Sequence, residues 1–352
     1  MKLGYALGGV GITRDNLKFA RQAGVTHVIL HLTDYGYRSS ELPERFKGAA
    51  GFTGAPKLWD YDYLSGIKKM VNEEGLVIEA LENFNPYYWY DVLLDGPRKH
   101  EQMENLKQLI RDVGKVGIPT FGYNFSLAGV WGLVSVPEAR GGAPTAAFLN
   151  PEQKPIPNGM VWNMVYDPDA PAGNIGTVSQ EQLWQRAEYF LSQILPVAQE
   201  AGVVMAAHPD DPPMTTIRGT ARLVHQPRLY QRLFDLVPSA NSKAELCVGT
   251  LSEMSETDMY EWVTTYAQAG KVAYVHLRNV RGKVPNYVEV FVDEGDTDIL
   301  RILRILHRAG FDGVITPDHA PAMNCPAPGH AAMAFQLGYL KALIKVVSED
   351  NA

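Results

Sequence analysis

VVMAAHPDDPP, residues 203–213, is the stretch on which the fold turns. Five small or apolar residues make a run of strand length. It stops at His208, which is followed by three prolines and two acids that cannot continue a central strand. Just upstream, QEQLWQRAEYFLSQILPVAQEAG (180–202) has the apolar spacing of an amphipathic helix and closes in glycine. Helix, glycine turn, apolar strand and a polar residue at the strand's end form one unit, and the unit recurs along the chain.

Working outward, the spacing predicts eight strands at residues 3–9, 26–32, 76–83, 118–125, 203–209, 243–249, 272–279 and 313–319. Nearly all are followed by a segment with helical periodicity. Ala-Gly pairs at 23–24, 201–202, 269–270 and 309–310 supply the short turn from helix to strand. Alternation alone fits an open doubly wound sheet as well, but a count of eight favours closure into a (β/α)8 TIM barrel. The 352 residues are read as one such domain, with residues 126–178, rich in Pro, Gly and Asn, as a βα-loop insertion after the fourth strand. Loops after strands build the active face of a barrel, so this insertion is expected to be a lid or a subunit contact.

Composition narrows the partners. With 46% hydrophobic and 20% charged residues the chain has ample material for a core. A net charge of −7 without a basic run argues against nucleic acid and anionic membranes. No run of 18 apolar residues occurs, so no membrane span is expected. Two cysteines, Cys247 and Cys325, fit thiols in a reducing cytoplasm better than a disulfide scaffold. The expected partners are a small molecule and further copies of the chain in a homo-oligomer.

Four ligand-type residues stand at equivalent places in four successive units: His208 in AAHPDDPP, Cys247 in AELCVGT, His276 in YVHLRNV and Asp318 in TPDHAP. Barrel closure brings such strand ends to one mouth. Any one of them alone has an ordinary structural explanation, a hydrogen-bonded histidine or a cysteine packed as a small hydrophobe. Core packing, however, gives no reason for four polar ligand types at four consecutive strand ends. Two imidazoles, a thiolate and a carboxylate suit a divalent transition ion such as Mn2+, Fe2+, Co2+ or Zn2+ better than Ca2+ or Mg2+, and the donor set leaves the choice among them open. Nearby, His319, Asp210, Asp211, Arg278, Asn279, Glu79 and Glu82 are candidates for acid–base or supporting roles. Asp210 and Asp211 serve equally well as turn residues before Pro212 and Pro213.

At these motifs the sequence resembles the mannonate dehydratases, within the wider group of xylose-isomerase-like barrels. HPDDPP, the cysteine of ELCVGT, the histidine of HLRNV and the Asp-His of PDH carry the resemblance, which extends over most of the chain. YNF at 123–125 and ALEN at 80–83 resemble the family's fourth and third strands. The resemblance implies a lyase that dehydrates a D-mannonate-like sugar acid to 2-keto-3-deoxy-gluconate. It implies metal binding by His208, Cys247, His276 and Asp318, and acid–base catalysis by His319. Glu82, Asn124, Asp210, Arg278 and Asn279 are expected to contact substrate.

The chain departs from the family in three places. SLAGVWG follows YNF where the family has a polar run with Trp-Thr-Arg. NFNPYYWYD stands where a Val-His-Glu segment is usual. Pro328-Gly329-His330 replaces Pro-Gly-Tyr, which makes His330 the expected catalytic partner of His319. Three other functions remain open to the sequence: a sugar isomerase or epimerase, a lyase on another sugar derivative facing the aromatic NFNPYYWYD loop, and a non-catalytic sugar-binding barrel.

Overall fold

In the computed structural model, residues 1–33, 43–46, 49, 56–255 and 258–349 are described. Eight parallel strands close into a barrel: β1 (Lys2–Gly8), β2 (His27–His31), β3 (Val77–Glu82), β4 (Thr120–Tyr123), β5 (Val204–Ala207), β6 (Ser242–Cys247), β7 (Val272–Leu277) and β8 (Val314–Pro317). Neighbours in sequence are neighbours in space, and β8 pairs back onto β1 at Lys2↔Val314 and Leu3↔Ile315. All eight expected strands are present. All but the first are shorter than the apolar run that signals them, and His208 and Asp318 stand one residue past the ends of β5 and β8.

The interior is filled by Ile29, Ala80, Ala206, Tyr274 and Val314, all fully buried. Small residues on β3 and β5 make room for the one large ring. Gly122 on β4 is required for the same reason: a Cβ there would lie 2.2 Å from the Tyr274 hydroxyl and 2.6 Å from Glu245 Oε2.

Helices pack outside the sheet on the faces the periodicity predicts. Ile299–Arg308 buries Ile299, Ile302, Leu303 and Leu306, a stripe at i, i+3, i+4 and i+7. Each such side chain contributes roughly 1.5–3 kcal/mol by leaving water. Gln180–Ala201 begins with a capping box between Ser179 and Gln182 and ends at Gly202, φ 69°. The glycines of the Ala-Gly pairs at 24, 202, 270 and 310 all have positive φ, the left-handed conformation that ends a helix without steric penalty. The last helix, Pro328–Glu349, is long and apolar enough to cross a membrane by composition, yet it lays Ala332, Leu337, Leu340 and Val347 into the core.

Two features depart from expectation. NFNPYYWYD is not an aromatic loop facing sugar. Asn85 caps a helix, Pro86–Leu94, through the Tyr87 N–H at 3.0 Å. The Trp89 ring packs on Phe84, Phe125 and Phe190 at centroid distances of 5.1, 5.7 and 5.5 Å. Burying three aromatic faces outweighs leaving them for a ligand. The insertion, for its part, folds into strands. Leu133–Ala139 and Ala143–Leu149 join a hairpin after β7, Asn279–Lys283 and Asn286–Val290, in a four-stranded antiparallel sheet. A second hairpin, Met160–Val161 with Met164–Val165, follows.

Candidate metal centre

The ladder that closes the barrel also sets the ligands. His208 N–H donates to Tyr123 O at 2.8 Å and Asp318 N–H to Leu277 O at 3.2 Å, each continuing a strand pair one residue past the strand. Cys247 and His276 are register partners on β6 and β7. One donor atom from each of His208, Cys247 and His276 lies within 4.8 Å of the others. Asp318 completes the group, with Oδ2 3.7 Å from Cys247 Sγ and Oδ1 4.0 Å from His276 Nδ1. The four side chains that the sequence reading joins therefore converge on one point.

The donors fit a cation. His208 Nδ1 is 2.6 Å from Pro209 O, which places the proton on Nδ1 and leaves Nε2 to ligate. His276 is buried, with Nε2 turned to Glu82 and Glu245 and no hydrogen bond at Nδ1. A buried ring nitrogen without a partner is expected only where an ion or water completes it. Burial, reinforced by His276, lowers the pKa of His208. Burial also drives the Cys247 thiol well above its ordinary value, although Thr250 N–H and Oγ1 approach Sγ at 3.5 and 3.2 Å. Binding a cation must therefore displace the thiol proton.

Beneath this set lies a second carboxylate layer. Glu82 Oε2 and Glu245 Oε1 are 3.2 and 3.4 Å from His276 Nε2. Burial raises both carboxyls, but His31 and His276 pull Glu82 down to about 2, whereas Glu245, beside Glu82, stays well above the usual range. One of the pair is ionised and the other protonated, as for two carboxyls that share a site. For His276, burial works against protonation, and the Glu82 charge more than offsets it.

A cavity of about 450 Å³ opens over these groups. Its walls include His31, Glu82, Asn124, His208, Asp211, His276, Asp318 and His319, together with Val130, Trp162, Asn163 and Met164. His319 Nδ1 meets Glu289 Oε1 at 2.8 Å, and its Nε2 is 3.5 Å from Asp318 Oδ1. The Asp318 charge, then that of Glu289, pushes its pKa up to about 10, so the ring is held as a cation.

Of the expected substrate contacts, Glu82 and Asn124 line the cavity, and three others do not. Arg278 is buried as a brace: Nε donates to Asp318 Oδ2 at 3.0 Å, a terminal nitrogen to Asp211 Oδ2 at 2.7 Å, and another to Glu253. Asn279 is consumed by the hairpin it opens, with Nδ2 on Val292 O and Thr297 O and Oδ1 accepting from Val280 and Thr297. Asp210 accepts from Val224 N–H and pairs with Arg222 at 3.2 Å, so it braces a distant loop and neither contacts substrate nor makes a local turn with these atoms. His330 is not brought to the cavity walls either. Its Nε2 contacts Asn16 Oδ1 at 2.9 Å, and its ring sits edge-on to Phe19. Glu79, half-buried, points elsewhere on β3, out of phase with Glu82.

Several site residues escape the sequence reading. His31 ends β2 just as the other ligand types end their strands. Glu245 is two residues before Cys247 on β6, so the strand's period of two places both side chains inside. Those signals are visible in the sequence. Glu289 and Trp162 lie on hairpins whose position over the mouth depends on tertiary pairing.

Known proteins resemble this arrangement. Residues 1–145 and 173–351 match the family model described as D-mannonate dehydratase (UxuA). A mannonate dehydratase of Geobacillus thermodenitrificans is 28% identical over 315 residues, which cover 81% of this chain and 84% of that protein. A mannonate dehydratase 2 of Halalkalibacterium halodurans is 27% identical, covering 83% and 88%. The crystal structure of mannonate dehydratase from Streptococcus suis serotype 2 superposes with a TM-score of 0.76 at 23% identity, covering 100% of this chain and 96% of that one. An L-ribulose 3-epimerase shares the fold at a TM-score of 0.60 and 11% identity.

Proposed function

This chain belongs to the D-mannonate dehydratase (UxuA) family, and from that premise we propose that it is a hydro-lyase converting a D-mannonate-like sugar acid to 2-keto-3-deoxy-gluconate and water. The observation that carries the reading is the convergence of His208, Cys247, His276 and Asp318, with His319 alongside, at the mouth of the barrel. A divalent transition cation held by those four, manganese before iron, cobalt or zinc, would act as a Lewis acid toward the substrate carboxylate and 2-hydroxyl.

The remaining work falls to the chain itself. The proton next to the carboxylate must leave carbon 2 and the hydroxyl must leave carbon 3. His319, held cationic between Asp318 and Glu289, is the acid: it gives its proton to the departing hydroxyl, which leaves as water. His31, lining the same cavity 3.4 Å from Glu82, takes the place expected of His330 as the base at carbon 2. The resulting enol tautomerises to the 2-keto acid, so the net change is loss of one water. Buried Arg278 holds Asp318 through its guanidinium and keeps the ligand carboxylate aimed at the centre.

The reading is tested by incubating Mn-loaded protein with hexonate and pentonate stereoisomers. A product lighter by one water that reacts as a 2-keto-3-deoxy acid is expected from one or more acids. Conversion at conserved mass identifies an isomerase instead.

A further inference from the structure

We propose that Trp162 and Asn163 form a subsite for the carbon chain of the substrate beyond its carboxylate end, selecting unphosphorylated acids that present a C–H face to the indole. The proposal rests on the sugar-acid reading above and adds to it the element that chooses among such acids.

Residues 146–172 are the one stretch before position 352 outside the family match, with matched sequence on both sides. Within it, Met160–Val161 and Met164–Val165 pair as a hairpin, so Trp162 and Asn163 are its two-residue tip. That tip lines the cavity together with His276, Asp318 and His319. A segment outside the residues matched by the family model thus contributes wall to the pocket over the candidate metal ligands.

The backbone supports a functional reason for the tryptophan. Both tip residues have positive φ, 54° and 53°, as a tight hairpin of this hand requires. Asn and Gly suit such positions, whereas a bulky side chain at positive φ is strained. Turn formation therefore does not account for Trp162, and the strain is held by contacts. Its N–H donates to Leu127 O at 2.6 Å, and its indole Nε1 donates to the carbonyl and side-chain oxygens of Asn124, each at 3.3 Å. Gly129 lets the ring lie flat against the chain, since a Cβ there would come within 2.7 Å of Trp162 Cδ2. Asn124 is in turn tied to Pro209 O at 3.2 Å, next to the ligand His208. The indole is thus fixed relative to the metal site, with its polar edge turned into the protein, and Trp162, Met164 and Val130 give that wall an apolar character.

Charge narrows the ligand. Among the described residues lining the cavity there is no lysine or arginine, and the cationic capacity lies in histidines grouped at the metal end. A phosphate at the far end of the substrate would find no fixed cation among these described lining residues. Carbon-bound hydrogens on an aromatic face, with the Asn163 amide for a hydroxyl, match the wall as built.

The experiment measures both binding and turnover for Mn-loaded wild type, Trp162→Ala, Trp162→Phe and Asn163→Ala, across a panel of hexonates, pentonates and a 6-phosphohexonate. For accepted acids, Trp162→Ala should raise KM and Kd about tenfold or more with kcat changed far less. Trp162→Phe should recover most of the loss, Asn163→Ala should lose less, and metal content should stay at the wild-type value. The 6-phosphate should bind more weakly than its parent acid. Unchanged Kd and KM in both Trp162→Ala and Asn163→Ala overturn the subsite, as does preference for the phosphorylated acid. If Trp162→Ala does not fold, Trp162→Phe and Asn163→Ala decide by the same criteria. Acids that bind wild type without losing water defeat the dehydratase reading alone, because their Kd ratios still judge the subsite. Failure of every acid to bind overturns the substrate class.

Discussion

His319 is gripped by Glu289: its Nδ1 lies 2.8 and 3.0 Å from the two carboxylate oxygens. The acid comes from Asn286–Val290, a strand thirty positions away in sequence, and is itself buried, whereas the imidazole is half-exposed to the cavity. The pairing fixes which nitrogen faces Asp318 and keeps the proton on the ring. Glu289→Ala should therefore lower kcat about a hundredfold while leaving metal content at the wild-type value, the size expected for a misplaced general acid. Glu289→Gln, which retains an acceptor for Nδ1, should lose less. Metal analysis beside steady-state kinetics checks it, and wild-type kcat in Glu289→Ala removes the orienting role.

The two histidines assigned to catalysis by resemblance part company in the structure. His319→Asn should abolish turnover at unchanged metal content. His330→Asn should keep kcat within about threefold of wild type, since surface substitutions away from a site have small effects. His330 contacts Asn16 and Phe19 and lines no part of the described cavity. A His31→Asn variant, by contrast, should lose most activity. Equal activities of the His31 and His330 variants would reverse the assignment of the base.

The eight strands and the four candidate ligands are legible because a parallel barrel repeats one local pattern, apolar run then polar end, which a reader of sequence can count. His31 and Glu245 obey the same rule and could have been found with it. What sequence could not show is the direction in which a polar residue past a strand's end turns. Arg278 follows Leu277 as Asp318 follows its register partner Pro317, yet Arg278 and Asn279 turn inward to brace carboxylates and carbonyls, because an unpaired carboxylate buried beside Arg278 would be far more costly than a lost substrate contact. The covering sheet was illegible for another reason. Its strands come from two loops about 140 residues apart, and it is the pairing of Asn286 with Leu149, Tyr287 with Phe148 and Val288 with Ala147 that joins them.

Arg278 makes the next prediction. It is 1% exposed and joins Asp318, Asp211, Glu253 and Thr250. Burial alone would favour its neutral form, but Glu253, Glu289 and Asp211 hold it firmly charged. Arg278→Met leaves these acids without their shared cation, and removing one partner from a buried ionic network destabilises by about 3–5 kcal/mol. Denaturant titration should show that loss, together with weaker metal binding as Asp318 loses its support. A loss under about 1 kcal/mol would mean that water or protons replace the guanidinium without penalty.

Metal removal is predicted to act on stability and on protons together. A cation that binds only the folded chain stabilises it by RT ln(1 + [L]/Kd), about 4 kcal/mol when the ion is a thousandfold above Kd. Chelation should therefore lower Tm, and Mn2+ should restore it. Because burial holds the Cys247 thiol of the metal-free chain well above its ordinary pKa and the ligand form is thiolate, uptake releases a proton. Affinity then rises as pH rises, until the thiol of the metal-free chain is itself deprotonated. Calorimetry in buffers of different ionisation enthalpy measures that proton directly. In Cys247→Ser the released proton should disappear and affinity should fall, and the cobalt-loaded variant should lack the near-ultraviolet sulfur-to-cobalt band expected of cobalt-loaded wild type. Retention of that band in Cys247→Ser, or equal proton release by both proteins, would take the sulfur out of the metal shell and leave only the two imidazoles and Asp318 to hold the ion.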